Sequence, residues 1–215
     1  MILLDAGTTY AKILNTETDE RTVKRISELE KTFRADVGTG HNISRFSKRS
    51  INEIIALANA GRSLINENTF TLLDVGSRDA KFVVFEGGNF VHSDWNTECG
   101  AFTGQALEIL GNYLNVDYSK VEPQKEFITA TCGLLGMGHV FDMVAGGIEP
   151  ETAAARLIKG VCISMYRFTR KPKKIYLTGG LVQNSLFIKS MPCETITLDR
   201  FTLLEGVKEY ALSLN

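Results

Sequence analysis

The chain has 215 residues, of which 44% are hydrophobic and 23% charged. This globular balance excludes disorder as a description of the whole and supplies one substantial core or two small lobes. A formal net charge of -1 excludes a broadly cationic surface that would hold a nucleic-acid backbone by counterion release.

No apolar stretch reaches the roughly 18 residues that span a bilayer, and Asp5 interrupts the first apolar run too soon for a signal peptide. No membrane association is expected, and the predicted location is the cytoplasm.

In chain order, residues 2–4 and 11–14 read as the strands of a hairpin, followed by a weaker strand at 23–26. Gly7 suits the tight reversal between the first two, where a bulky residue would crowd the backbone. Val37-Gly38-Thr39-Gly40-His41-Asn42 reads as a loop. Ile51, Ile54, Ile55, Ala58 and Leu64 then recur at helical spacing, with Ser47 or Ser50 as the cap and Gly61 near the end. A second strand set starts at Phe70, carried by Leu72, Val75 and Phe82-Val83-Val84-Phe85, turns at Gly87-Gly88 and returns at Phe90-Val91. This order of strand, glycine turn, strand, turn, strand repeats the opening of the chain.

Helices are predicted over 102–114, from 132 or 133 to 144, and over 150–169, the last opened by Glu149-Pro150-Glu151 in the acidic, proline-first manner. A buried-type strand at 174–177 ends in Thr178-Gly179-Gly180. A final helix over 201–214 packs through Leu203, Leu204, Val207, Tyr210 and Ala211. The basic residues between 167 and 174 lie at a helix-to-strand join and read as a solvated turn.

The two hairpins share one order: apolar run, aspartate, small residue, glycine, hydroxyl residue, then an apolar run beginning near Lys12 or Lys81. A phosphate chain needs close backbone donors and a cation. Unhindered amides around Gly7-Thr8-Thr9 and Gly76-Ser77 can donate, and the hydroxyls of Thr8, Thr9 and Ser77 add to them. Asp5 and Asp74 can hold magnesium directly or through water. Asp79, just past the second turn, can orient a water beside a terminal phosphate, and Lys81 is a further candidate. Each Asp-x-Gly motif alone is also an ordinary β turn, but a site made twice implies a cleft between two lobes. Gly179 and Gly180, between a strand and a helix, serve either adenosine contact or helix-to-sheet packing.

Cys99, Cys132, Cys162 and Cys193 show no CxxC spacing, and paired disulfides are not expected in a reducing compartment. Cys99 and Cys132 each precede a helix among glycines and small or hydroxyl residues, where amide hydrogens and the helix field stabilise a thiolate. Two such thiols complete a four-cysteine iron-sulfur site only if a two-fold dimer brings both pairs to its axis. Buried, unreactive cysteine is the alternative, and it fits Cys162 and Cys193 best. His41, His92 and His139 lack partners at zinc-ligand spacing and are read as non-metal residues.

The sequence resembles the activator component of the 2-hydroxyacyl-CoA dehydratases and the related ATPase subunits of benzoyl-CoA reductases. The motifs are Leu4-Asp5-Ala6-Gly7-Thr8-Thr9 with Lys12, Val37-Gly38-Thr39-Gly40, Asp74-Val75-Gly76-Ser77-Arg78-Asp79-Ala80-Lys81, Cys99-Gly100-Ala101-Phe102-Thr103-Gly104, Thr131-Cys132, and Thr178-Gly179-Gly180-Leu181-Val182-Gln183-Asn184, in that order.

The resemblance implies an α/β, two-lobed RNase H-like fold of the actin, Hsp70 and acetate and sugar kinase superfamily, with a reduced first lobe. Residues 1–68 with 202–215 would form that lobe, and 69–201 the second, nucleotide-binding and cluster-bearing one. It further implies a homodimer sharing one 4Fe-4S cluster through Cys99 and Cys132, with ATP and magnesium at the hairpins. ATP hydrolysis would accompany transfer of a low-potential electron to a CoA-ester dehydratase or reductase partner. On this reading Asp5, Asp74 and Asp79 are catalytic, Asp5 and Asp74 also hold the metal, and Gly7, Thr8, Thr9, Lys12, Gly76, Ser77, Gly179 and Gly180 contact nucleotide.

Three features depart from the family pattern. Arg78 stands where the second turn commonly has glutamine, placing a fixed cation beside the phosphate. Leu134-Leu135-Gly136-Met137-Gly138-His139 replaces a usually acidic stretch. The connection from the first long helix to Phe70 lacks a strand, a glycine-rich loop and a helix. A nucleotide-binding regulatory or assembly protein without redox turnover is therefore the alternative, and a small-molecule kinase ranks below it.

Overall fold

The computed structural model describes residues 1–96, 103–129 and 133–214. Contacts group the chain into two compact units. One comprises Met1–Leu72, Phe82–Ser93 and Asp199–Asn215, and the other Leu73–Lys81 and Asp94–Leu198.

The first unit is built on a five-stranded sheet containing β1 (Ile2–Ala6), β2 (Tyr10–Asn15), β3 (Glu20–Arg25), β4 (Ala35–Gly40) and β5 (Ser47–Ser50), in the order β3-β2-β1-β4-β5. The three opening strands are antiparallel neighbours, whereas β4 runs parallel to β1 and β5 parallel to β4. Alternation along β1 explains its central place, because successive side chains point to opposite faces. Leu3 joins one core with Leu14, Val37, Ile51, Ala56, Leu204 and Val207. Leu4 joins another with Ala6, Ala11 and Ala35. The first core is closed by α1 (Glu53–Leu64) and α6 (Thr202–Ser213), which pack on each other.

Two details differ from the sequence reading. The segment expected to loop at residues 37–42 is largely strand: Leu3 pairs with Val37, Leu4 with Gly38 and Asp5 with Thr39. Its glycines signal close approach rather than a turn. A methyl group on Gly38 would lie 3.0 Å from the Leu4 carbonyl oxygen and closer still to the Ile43 side chain. Helix α1 is capped by Asn52, whose side chain accepts from the Ile54 amide at 2.8 Å. Ser47 and Ser50, the expected caps, belong to β5.

A second five-stranded sheet contains β6 (Phe70–Val75), β7 (Ala80–Glu86), β8 (Asn89–Asn96), β9 (Lys174–Thr178) and β10 (Glu194–Thr197). Its order, β10-β9-β6-β7-β8, is that of the first sheet with corresponding strands in corresponding places. Its outer pair β9–β10 is parallel, as is β4–β5. The repeat legible in the sequence is thus a repeat of sheet topology. All six residues of β6 are buried, matching a strand covered on both faces. The short β10 and α5 (Ser185–Ser190) carry too little periodicity to be predicted from sequence.

The remaining helices are α2 (Thr103–Leu114), α3 (Gly133–Ala145) and α4 (Pro150–Phe168). Pro150 begins α4 as its sequence promised. Among the described residues no helix is long and apolar enough to cross a membrane.

Candidate functional site

The first turn is closed by the Gly7 amide donating to the Tyr10 carbonyl at 3.0 Å. A methyl group on Gly7 would sit 2.8 Å from that same oxygen, so glycine is required by the tightness of the reversal. Asp5 and Lys12 are register partners across β1 and β2. Their side chains meet at 2.8 Å, with only 7% and 12% of their surfaces exposed. Burying a charge demands such a partner. Lys12, predicted to contact nucleotide, therefore also neutralises Asp5. Thr8 and Thr9 are half-buried, and the Thr9 carbonyl accepts from Ile26.

The second turn repeats this plan with more charge. The Gly76 amide donates to the Asp79 carbonyl at 2.9 Å, and the Ser77 carbonyl accepts from the Gln105 amide near the start of α2. Asp74 and Lys81 are almost wholly buried. The Lys81 ammonium lies 3.7 Å from the Asp74 carboxylate and 3.4 Å from the Asp79 carboxylate. The Lys81 ammonium thus approaches two carboxylates. The indole N–H of Trp95 donates to the other Asp79 oxygen at 3.0 Å, and its ring centre lies 5.3 Å from the Lys81 nitrogen.

Gly179 abuts this group. Its φ of +91° lies in the region that favours glycine, and a methyl there would overlap the Asp74 side chain and approach the Val75 backbone. Gly180 differs, because a methyl on it would meet nothing within 4 Å. Asp74, Gly76, Asp79, Lys81 and Gly179 are consequently one constellation in one unit. Asp5, Gly7 and Lys12 are another in the other unit.

Cys99 and Cys132 lie outside the described residues. Cys162 is fully buried, with its sulfur 3.2 Å from the Phe187 carbonyl oxygen. Burial pushes its thiol well above the ordinary range, and burial also raises the half-exposed Cys193. Both fit unreactive structural roles. His41 and His139 are exposed and His92 half-buried.

Trp95 escaped the sequence reading. It is the only tryptophan, but no short motif pairs an indole with an aspartate 16 residues earlier. The partnership arises only when the strands are assembled.

Fold and turns together define the class: an α/β protein of two compact units with two mixed five-stranded sheets of matching strand order. No protein-family profile matches the chain. Two curated relatives narrow the comparison. The (R)-2-hydroxyglutaryl-CoA dehydratase activating ATPase of Acidaminococcus fermentans is 25% identical over 162 residues, covering 71% of this chain and 62% of the relative. The 2-hydroxyisocaproyl-CoA dehydratase activator of Clostridioides difficile is 24% identical over 173 residues, covering 75% and 65%. The matched segments thus span less than two thirds of either relative.

Among solved structures, the activator of the 2-hydroxyisocaproyl-CoA dehydratase from Clostridium difficile with bound ADPNP superposes with a TM-score of 0.78 at 21% identity, covering 100% of this chain and 95% of that one. Component A of the (R)-2-hydroxyglutaryl-CoA dehydratase from Acidaminococcus fermentans gives 0.74 at 20%, covering 98% and 96%. The ethanolamine utilization protein EutJ from Carboxydothermus hydrogenoformans gives 0.56 at 12%, covering 96% and 88%. In sequence and in fold, the chain resembles the dehydratase activators.

Proposed function

We propose that this protein is an ATP-dependent, activator-like homodimer that passes a low-potential electron to a CoA-ester dehydratase or reductase partner in the cytoplasm. The observation that carries the reading is the duplicated Asp–Gly–Lys hairpin. It occurs at corresponding places in two sheets of identical strand order, in a chain 25% identical over 162 residues to an activating ATPase.

The residues suit Mg-ATP on chemical grounds. Amides and hydroxyls at Gly7, Thr8, Thr9, Gly76 and Ser77 would bind phosphates, and Gly180 offers open backbone on the adenosine side. Asp74 and Asp79 supply carboxylate oxygens at the second turn, the ligand type that magnesium takes. Asp5, already paired with Lys12 at 2.8 Å, would reach magnesium through water. Asp79 would orient the water that attacks the terminal phosphate.

Cys99 and Cys132 supply two soft ligands per chain, so two chains would provide the four thiolates of one 4Fe-4S cluster. When bound, that cluster would supply a one-electron, low-potential centre. The surface after Cys132 supports association. Leu135 and Phe141 of α3 are 61% and 37% exposed, and Ile109 and Tyr113 of α2 are 48% and 74% exposed. Tyr113 and Phe141 meet edge to face at 5.3 Å. Exposed apolar side chains in mutual contact, as Tyr113 and Phe141 are, suit an interaction face.

Iron analysis combined with mass measurement on anaerobically purified protein tests the reading: one cluster per dimer is expected. Its visible spectrum is expected to change on adding Mg-ATP. A full cluster retained after replacing both Cys99 and Cys132 with alanine would reject the ligand assignment. Nucleotide binding without iron, hydrolysis or electron transfer would instead favour a regulatory protein, a reading that Arg78 in the second turn also suits.

A further inference from the structure

The Asp79 carboxylate is held from two sides. One oxygen faces the Lys81 ammonium at 3.4 Å, and the other accepts the Trp95 indole N–H at 3.0 Å. The same indole lies beside the Lys81 nitrogen, 5.3 Å from ring centre to charge, a distance at which the ring face attracts a cation. One rigid side chain thus orients both the acid and the base of this turn. An indole nitrogen can only donate, so it fixes the carboxylate without competing for a metal ion or for the proton of a water. Each carboxylate oxygen has two acceptor directions, and capacity beyond these contacts serves a ligand. With 24% of its side-chain surface exposed, Asp79 remains accessible while its neighbours Asp74 and Lys81 are buried.

We infer that Trp95 is a positioning residue for phosphate-bond hydrolysis, holding Asp79 in the orientation that places a water, and that its indole N–H reports occupancy of the second turn. The inference rests on the proposed ATP-dependent function, since it specifies which residue aims the carboxylate of that site. Phenylalanine at this position would keep a ring beside Lys81 and remove only the donor. Loss of orientation should lower turnover without weakening nucleotide binding, because a small misplacement of a catalytic group acts on the transition state.

The test compares wild type, W95F and D79N. For W95F the expected result is a roughly tenfold drop in kcat for ATP hydrolysis, within the range that misplacing a catalytic group produces. Dissociation constants for ADP should stay within about twofold of wild type on the same grounds. As a readout independent of turnover, the single indole N–H resonance of the wild-type protein should move on adding a non-hydrolysable ATP analogue with magnesium, and should move in D79N without nucleotide. Wild-type kcat in W95F, or an indole resonance indifferent to both nucleotide and D79N, would overturn the role of Trp95 while leaving the proposed function standing. Failure of the wild-type chain to bind any adenine nucleotide would overturn both. Should W95F not fold, the D79N and nucleotide shifts of the wild-type resonance decide the matter.

Discussion

Asp5 and Lys12 face each other across the first hairpin at 2.8 Å, both nearly shielded from solvent. Their spacing in the chain is repeated by Asp74 and Lys81, which approach at 3.7 Å on the second hairpin. The first pair is balanced in charge. The second also engages Asp79.

Removing one member of the first pair leaves a buried, uncompensated charge. K12M is expected to destabilise the protein by about 3 kcal/mol, the scale of breaking a buried ion pair. D5N/K12M should recover at least half of that loss, because neither charge then remains. Urea unfolding of the two single variants and the double variant measures the coupling.

Gly179 and Gly180 are adjacent but should respond oppositely to alanine. G179A places a methyl against Asp74 and the Val75 backbone in a left-handed conformation, and a loss of about 3 kcal/mol is expected from the combined strain and overlap. G180A meets open space and should stay within about 0.5 kcal/mol of wild type. Thermal unfolding distinguishes them. A weaker ATP affinity in G180A without a change in melting temperature would place nucleotide at this backbone.

Asp117 caps the short helical turn at Tyr118–Lys120 and is held at about 2, chiefly by the Ser119 hydroxyl, then by Lys120 and the Ser119 amide. A depressed carboxyl pKa contributes stability that is fully present above the ordinary unfolded value near 4 and is lost as pH falls through the folded one. The relevant window is therefore about pH 4 to 2. An NMR titration of the Asp117 carboxyl should give a midpoint near 2, and S119A should move it upward.

Cys162 should resist alkylation in the native state, since it is buried and its thiol is raised by desolvation. Mass mapping after iodoacetamide treatment at pH 8 should show Cys162 modified only once denaturant is present. Rapid native labelling at this site would contradict the packing of α4 against α5.

Leu135 projects from α3 with most of its surface in solvent. L135K should leave the far-UV circular dichroism spectrum unchanged while weakening self-association at least tenfold if this side chain lies in the contact between two protomers, because a charge buried there is desolvated without a partner. Sedimentation velocity over a concentration series gives the answer.

The sequence by itself determined the local grammar of the chain. Apolar runs beside glycine turns marked β1, β2 and β6, helical spacing and Pro150 marked α1 and α4, and the Asp–Gly turns exposed the internal repeat, because each signal lies within one or two elements. Only the tertiary structure made residues 37–40 a strand, since parallel pairing with β1 is supplied by distant backbone and overrides the turn chemistry of glycine. Tertiary structure alone also gave Asp79 its tryptophan. Partnerships such as these depend on which chain segments meet after folding, a non-local outcome that no window of residues encodes.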